Sequence, residues 1–222
     1  MITDQATYDV LISLFENKEP GKPLMVYDLT MQNHAGYLTD QIAKPFDVLN
    51  ETIQQEMEEY LALMNESDRA FEQLVSYFEA YEEPTVILIF GDHQGNTELG
   101  GVDKAENLSE LEQALTQYIT PFVIWANYPI ESEYIEAVSI NYLAALLMEK
   151  SGLPLTSYDR WQLEMMEQYP VVVQSGYADS EGHFHSWDER EWPEELQLMN
   201  HVRYNRLYDS ENRLPALDFV GR

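Results

Sequence analysis

An aspartate and a histidine stand side by side at positions 92 and 93, directly after an apolar run and a glycine. The run covers 85–90 and lacks polar alternation, which is typical of a strand buried on both faces under helices. In open α/β sheets, ligands bind just beyond the carboxyl ends of such strands. Carboxylate oxygen and imidazole nitrogen both bind divalent metals, so Asp92 and His93 are candidate metal ligands.

The geometry of a strand limits how this pair can act. Neighbouring residues point to opposite faces, so Asp92 and His93 can share one ion only where the chain has left strand geometry. Gly91 permits such a turn. The alternative is a loop aspartate that caps a backbone group beside a half-exposed histidine, and motif matches of this kind are often no more than that. The buried strand and the flanking glycines favour the site.

Periodicity along the chain predicts the elements that position this pair. Helical spacing of apolar residues predicts helices over about 4–17, 51–81, 108–118, 139–150 and 159–168. Continuous apolar runs predict strands over 23–29, 85–90, 121–126 and 171–173, and a hairpin is predicted within 204–214. In the long second helix, either Ser67 caps a new helix or Asp68 turns toward something polar. Strands that alternate with helices indicate α/β layers with a largely parallel sheet.

Three segments, in this order, resemble the sulfatase-like proteins of the alkaline phosphatase superfamily, and most closely the lipoteichoic acid synthase group of phosphoglycerol transferases. Residues 24–37 are similar to a strand that ends in a T-x-x-N-H-x-x-Y loop and read LMVYDLTMQNHAGY. Tyr60-Leu61 followed by Asp68 resembles the helix before the Asp-His strand. Residues 90–95 resemble the second metal-binding segment and read FGDHQG. The resemblance covers roughly residues 20–150.

The resemblance implies a layered α/β sandwich of the alkaline phosphatase type, with a mostly parallel sheet. It implies that Asp92 and His93 hold a divalent cation, Mn²⁺ or Mg²⁺. It also implies that His34 contacts the substrate phosphate and that Thr97 lies near the substrate. A loop cap for His34 and a turn role for Thr97 are the alternatives.

The chain departs from this family at the nucleophile. The family's catalytic Thr or Ser, and its first metal-ligand carboxylate, precede the segments matched here, and no matching segment precedes Leu24. Thr30 and Thr39 lie in the histidine-loop region and are not candidates. We therefore expect the C-terminal part of a catalytic domain, with residues 1–170 belonging to that domain and 171–222 forming an extension or small appendage. Without a nucleophile, we expect weak metal binding and no activity from this chain alone.

The implied parent activity is metal-dependent phosphoryl transfer on phosphate esters of cell-envelope lipids, at the extracellular face of the membrane. Its partners would be an anionic phospholipid or phosphate ester and the N-terminal half of the domain. The alternatives are a sulfatase, phosphodiesterase or phosphatase of the same superfamily, or a non-catalytic α/β interaction piece.

Composition restricts the classes of function. The 222 residues include 40 acidic and 12 basic side chains, for a formal net charge of −28. This balance argues against nucleic-acid binding, which requires Lys and Arg. The chain contains no cysteine, which excludes disulfides and thiolate metal sites. An anionic substrate would be repelled by such a field, but screening and a local cation limit that effect.

His183 and His185 form a second candidate pair. A His-x-His on a strand places both imidazoles on one face, as a metal site requires. Glu181, Asp188 and Glu189 are the nearby carboxylates, and none is clearly committed to such a site. Solvated loop histidines are therefore the favoured interpretation.

Overall fold

The computed structural model describes residues 2–34, 36, 54–94, 118–188 and 191–220. The chain forms two compact units. The first comprises Met1–Thr85 and His93–Ala105, and the second comprises Val86–Asp92 and Glu106–Arg222. The predicted division between residues 170 and 171 falls inside the second unit and stays a prediction.

Two helices, α1 (Asp4–Glu16) and α2 (Gln54–Glu79), build the first unit. Helix α1 begins where the Thr3 side chain accepts a hydrogen bond from the Ala6 N–H, at 3.2 Å. Helix α2 is continuous through residues 65–68, so Ser67 is not a new cap. Its buried face recurs at helical spacing and consists of Ala62, Leu63, Ala70, Leu74 and Phe78.

Aromatic side chains join the two helices near the end of α1. The ring of Phe15 packs edge-to-face against Phe78 and Tyr81, with centroids 5.1 and 5.2 Å away. Tyr77 lies beside them, and its hydroxyl donates to the Glu16 carboxylate at 3.0 Å. Edge-to-face pairs of this kind add about 0.5–1.5 kcal/mol to the burial of their surface. This contact fixes the helix pair that carries the histidine loop.

The predicted strand over 23–29 is wrong, because residues 22–31 contain neither strand nor helix. A strand requires a hydrogen-bonded neighbour, and none of the residues that the structure describes pairs with this segment. Its apolar side chains are exposed, with Met25 at 91% and Tyr27 at 75% of full exposure. The apolar composition of this run is typical of a strand inside a sheet, but these side chains are exposed and no described strand lies beside them.

The second unit begins with β1 (Val86–Phe90), which pairs with β2 (Phe122–Ala126). The pairing is antiparallel, with Val86 opposite Ala126 and Phe90 opposite Phe122. All strand pairs in the described part of the chain are antiparallel, so the expected parallel arrangement is not found there. The residues of β1 are only partly buried, rather than fully buried on both faces.

The rest of the second unit contains helices and a three-stranded sheet that lies between the second and third of them in the sequence. Its helices are α3 (Leu143–Lys150), preceded by a 3-10 turn at Ile140–Tyr142, then α4 (Ser157–Gln168), α5 (Glu194–Leu207) and a 3-10 turn at Pro215–Asp218. The sheet consists of β3 (Val171–Val172), β4 (Gly176–Ala178) and β5 (Phe184–Ser186), in that order.

Two predicted boundaries in this unit need correction. The helix predicted over 159–168 begins earlier, at Ser157, and Thr156 caps it, because the Thr156 hydroxyl accepts from the Asp159 N–H while the Asp159 carboxylate accepts from the Thr156 N–H. The predicted hairpin within 204–214 is wrong at its first strand, which is the end of α5. The buried residues Leu196, Met199 and Val202 recur every three positions and are the helical signal in that region.

The core of the second unit consists of Tyr142, Met165, Tyr177, Leu196 and Met199. It joins helices α4 and α5 to strand β4, so its members lie on both sides of position 170. Ser139 extends this connection, since its hydroxyl donates to the Val172 carbonyl and accepts from the Val172 N–H, at 2.9 and 2.6 Å. None of the helices in the described ranges combines the length and apolar character that a membrane span requires.

Candidate functional site

Gly91 sets the point at which the chain leaves β1. Its N–H donates to the Pro121 carbonyl at 3.2 Å, and the Thr120 hydroxyl donates to the Gly91 carbonyl at 2.7 Å. A β-carbon at Gly91 would lie 2.8 Å from the β-carbon of Thr120, which is closer than such atoms approach. The glycine is therefore needed for close packing against the segment before β2, rather than for a left-handed turn.

Asp92 and His93 follow this glycine, and both are exposed. The Nδ1 atom of His93 lies 2.8 Å from the Gln94 carbonyl oxygen. Because a carbonyl only accepts, Nδ1 carries the proton in the neutral ring, and Nε2 is the nitrogen with the lone pair. Metal-bound histidines commonly have their second ring nitrogen held in this way. The tautomer of His93 thus suits a ligand role through Nε2.

The division of the chain into two units falls between Asp92 and His93, so each side chain belongs to its own unit. Among the described residues, no group of three or more His, Cys, Asp and Glu side chains could hold a metal ion. Shared coordination of one ion by Asp92 and His93 stays a prediction. Thr97 lies outside the described residues.

His34 lies in the turn over 32–34 that follows residues 22–31, and it is exposed. Its backbone N–H donates to the Met31 carbonyl at 3.3 Å, which closes a tight turn. Gln32, two residues earlier, is only 1% exposed. The buried side chain of Gln32 therefore anchors this turn in the interior of the first unit.

Both polar atoms of the Gln32 side-chain amide form hydrogen bonds. Its Oε1 accepts from the Asp4 N–H at 3.0 Å, in the first turn of α1. Its Nε2 lies 3.1 Å from the Leu63 carbonyl and 3.0 Å from the Ser67 hydroxyl, both on α2. One loop side chain therefore connects two helices.

Ser67 is the centre of this buried arrangement. Its hydroxyl accepts from Nδ2 of Asn33 at 2.9 Å and donates to Oδ2 of Asp4 at 2.5 Å. Asp4 is 3% exposed, and its other carboxylate oxygen has no hydrogen-bond partner among the described residues. The sequence singled out Asp68, which is exposed, considered Ser67 only as a helix cap, and missed the roles of Asp4 and Gln32.

Tyr8 lies near the same helix start. Burial, together with the nearby carboxylates of Asp4 and Asp28, raises the pKa of Tyr8 to about 12. The phenol is therefore neutral at physiological pH. Asp28 is exposed and does not lie in a strand, contrary to the prediction for the segment 23–29.

The second histidine pair lies in the β4–β5 hairpin. The Nε2 atom of His185 is 2.9 Å from Oδ2 of Asp179, and its ring stacks on Tyr177 with centroids 4.8 Å apart. His183 is 68% exposed at its side chain, with Nδ1 at 3.7 Å from the same Asp179 oxygen. Asp179, which the sequence did not single out, pairs with His185, whereas the nearest carboxylate oxygen to His183 Nδ1 is Oε2 of Glu181 at 3.5 Å. Asp179 also accepts the N–H groups of Glu181 and His183, so the cluster stabilises the turn.

Acidification is expected to weaken this hairpin. The hydrogen bond with His185 lowers the pKa of Asp179 below its usual value, partly opposed by burial and supported by the backbone N–H groups of His183 and Glu181. Because the folded carboxyl group binds its proton less tightly than the unfolded one, its stabilisation is fully present above about pH 4 and is lost as the pH falls through the folded pKa.

Urea unfolding of the wild type and Asp179→Asn, followed by tryptophan fluorescence from neutral to acidic pH, measures this contribution. We expect the difference in unfolding free energy between the two proteins to shrink as the pH falls. A difference that is the same at both ends of the range would contradict the role of Asp179.

An open cleft of about 730 Å³ lies along α5 and contains none of the predicted site residues. It is lined by Glu191, Trp192, Glu194, Gln197, Asn200 and His201. The indole N–H of Trp192 donates to the Trp187 carbonyl at 3.1 Å, and Gln197 donates to the Trp192 carbonyl at 3.0 Å. These contacts hold the start of α5 in place.

A family model described as Sulfatase matches residues 1–153, which is more than half of the chain. The chain therefore belongs to the sulfatase family. The matched range includes the His34 loop, helix α2 and the Gly-Asp-His segment after β1.

Two known proteins are similar to this chain. The solved structure of the Streptococcus pyogenes phosphoglycerol transferase GacH, in complex with sn-glycerol-1-phosphate, matches with a TM-score of 0.66 and 17% identity. That match covers 91% of this chain and 48% of GacH. A Rhizobium meliloti (strain 1021) protein named for the modification of cyclic beta-1,2-glucan is 22% identical, over 68% of this chain and 25% of that protein. The chain thus spans about half or less of these relatives, and it shares the fold of GacH over 91% of its own length.

Proposed function

We propose that this chain is the C-terminal part of a metal-dependent, phosphoglycerol-transferase-like domain that acts on phosphate esters of cell-envelope lipids. The observation that carries the proposal is the order of two motifs in a sulfatase-family chain. An Asn-His loop contains Asn33 and His34, and a Gly-Asp-His segment follows strand β1. The fold shared with a phosphoglycerol transferase supports this choice within the family. The proposed location is the extracellular face of the membrane.

The donor chemistry at residues 92–93 suits Mn²⁺ or Mg²⁺. Asp92 supplies a hard carboxylate oxygen, and His93 supplies Nε2, since its Nδ1 donates to a carbonyl. Two protein ligands hold an ion weakly, because such sites commonly use three or four. We propose that the remaining ligand and the nucleophile come from outside these 222 residues.

Each proposed residue has one role. His34 donates a hydrogen bond to a phosphate oxygen of the substrate, and Thr97 lies close to the substrate. Asp92 and His93 orient the cation. Such a cation, when bound, lowers the pKa of a Thr or Ser hydroxyl and stabilises negative charge on the phosphoryl oxygens.

The exposed apolar segment over 24–31 supports the proposal that another part of the domain covers it. Its most exposed members are Met25 at 91%, Tyr27 at 75%, Leu29 at 63% and Met31 at 54%. Contiguous exposed apolar residues usually mark an interaction surface. We propose that the N-terminal half of a sulfatase-type domain covers this segment and pairs with it as a strand. This placement would bring the nucleophile to the His34 loop.

A hydrolase of sulfate or phosphate esters is the second candidate, favoured by the family match itself. For a transferase, the name of the Rhizobium relative favours a glycan as the acceptor, in place of a lipid. Hydrolysis transfers the group to water, so product analysis with and without an added glycan or glycerolipid acceptor separates the candidates.

The 222-residue chain is expected to bind Mn²⁺ weakly and to show no turnover. Mn²⁺ binding is measured by electron paramagnetic resonance at physiological salt, and turnover with a chromogenic phosphodiester. We expect Asp92→Ala and His93→Ala each to weaken Mn²⁺ binding about tenfold or more, the size seen when ligand shells are disturbed. The reason is that only these two side chains contribute donors to the proposed ion.

The control for this experiment is His201→Ala, because His201 is an exposed histidine outside the proposed site. This variant shows how much Mn²⁺ binding changes when a histidine is lost from the acidic surface outside the proposed site. Equal Mn²⁺ affinity in the wild type and the three variants would contradict the proposed metal site at Asp92 and His93. Turnover that His93→Ala abolishes would show that a nucleophile lies within this chain.

A further inference from the structure

Four polar side chains of the first unit form a hydrogen-bonded network that the proposed reaction does not itself use: Asp4, Gln32, Asn33 and Ser67. Two of them, Asp4 and Gln32, are almost fully buried. Buried polar groups reduce stability unless they are well paired, so a network of this kind indicates a specific structural purpose.

The network connects three pieces of chain that are distant in sequence. Asp4 opens α1, Ser67 lies in the middle of α2, and Gln32-Asn33 directly precede His34. Gln32 accepts from the Asp4 N–H through Oε1 and donates through Nε2 to the Leu63 carbonyl and the Ser67 hydroxyl. Asn33 donates through Nδ2 to the same hydroxyl. These four distances lie between 2.9 and 3.1 Å. The direct bond from Ser67 to Asp4 joins the helices without the loop.

The hydrogen-bonding capacity of Ser67 is completely used. A hydroxyl has one donor and two acceptor positions, and here the proton goes to Asp4 while the lone pairs accept from Gln32 and Asn33. The direction of each bond is therefore determined. Removal of the hydroxyl would leave three buried or half-buried polar groups without this partner.

We propose that Ser67, acting with Gln32 and Asp4, is a positioning residue that holds the Asn33-His34 loop in the conformation in which His34 meets a phosphate group. This inference rests on the proposed phosphate contact of His34. The backbone N–H of His34 bonds to the Met31 carbonyl, so the turn and its anchor are adjacent. Positioning of this kind contributes to catalysis because small displacements of a contact group are costly.

The test is hydrogen exchange of the His34 amide in the 222-residue chain, measured by NMR in the wild type and Ser67→Ala. We expect exchange at His34 to accelerate at least tenfold in Ser67→Ala, while α2 amides away from residue 67 stay within twofold. Ser67→Thr keeps the hydroxyl and is expected to restore slow exchange. Ser76→Ala makes the same change at an exposed position of the same helix and is expected to have no effect.

Gln32→Met provides a second variant, because it removes the three hydrogen bonds that Gln32 makes and leaves the bonds of Ser67 to Asn33 and Asp4. It should accelerate His34 exchange as Ser67→Ala does. Unchanged exchange at His34, or an equal acceleration throughout α1 and α2, would overturn the positioning role, since the network would then only join the helices.

A titration with inorganic phosphate, followed by the His34 imidazole signals, connects the loop to binding. We expect phosphate to perturb these signals in the wild type and to bind Ser67→Ala at least threefold more weakly. Equal affinities in the two proteins would overturn the inference. A wild-type imidazole that phosphate does not perturb would count against the proposed function, and the exchange result would still decide whether Ser67 holds the loop.

Discussion

Replacing Tyr142 with alanine is expected to lower the free energy of unfolding of the second unit by about 3–5 kcal/mol, the range for large aromatic side chains in a core. Tyr142 has no exposed surface and lies in the cluster with Met165, Tyr177 and Leu196. The substitution removes a ring from a packed space and also removes the hydrogen bond from its hydroxyl to the Tyr169 carbonyl, at 3.0 Å.

Tyr142→Phe separates these two contributions, because it keeps the ring and removes only the hydroxyl. We expect it to cost about 1 kcal/mol, the net value of one hydrogen bond. Tyr134→Ala is the control at a side chain that is 90% exposed, and its effect should stay within about 0.5 kcal/mol.

Urea unfolding followed by tryptophan fluorescence measures these effects in the second unit alone. All four tryptophans belong to that unit: Trp125, Trp161, Trp187 and Trp192. A loss below about 1 kcal/mol for Tyr142→Ala, less than a large aromatic should cost, would contradict the packing described here.

Gly176→Ala is expected to cost about 3 kcal/mol or more, at the upper end of the overpacking range. A β-carbon at this position would lie 2.0 Å from the His185 carbonyl oxygen and 2.6 Å from the ring of Phe184. The carbonyl belongs to the backbone of the neighbouring strand β5, so it cannot move aside without separating β4 from β5.

Gly182→Ala is the matched control in the same hairpin. Nothing lies within 4 Å of its added carbon, but its φ of +82° is unfavourable for alanine. It should cost about 1–2 kcal/mol through backbone strain alone. If the two variants were equally stable, steric contact between β4 and β5 would not be the reason for glycine at 176.

Local sequence patterns were sufficient for several elements that carry the site. The helical spacing over 4–17 and 51–81 matches α1 and α2, and the apolar runs near 85–90 and 121–126 match β1 and β2. These elements are determined by periodicity and by nearby caps, which are properties of consecutive residues.

The sequence did not determine how the strands pair. The run over 23–29 has the composition of a strand but no partner among the described residues, so it does not form one. Strands β1 and β2 pair in opposite directions, although their alternation with helices predicted parallel neighbours. Pairing depends on segments far apart in the chain, and composition carries no information about direction.

For the candidate site, too, some features were predictable from the sequence and others were not. The residue types and spacing of Asn33-His34 and Asp92-His93 were visible in the sequence, as was the resemblance that the family match confirms. The supporting contacts were not visible: Gln32 to Ser67, Ser67 to Asp4 and Asp179 to His185. Their partners are 35, 63 and 6 residues apart, and folding selects them because a polar group taken out of water must find a partner in space. Residue types and spacing therefore specify which side chains are available for chemistry, whereas the contacts that hold those side chains in place form only when distant segments come together in the fold.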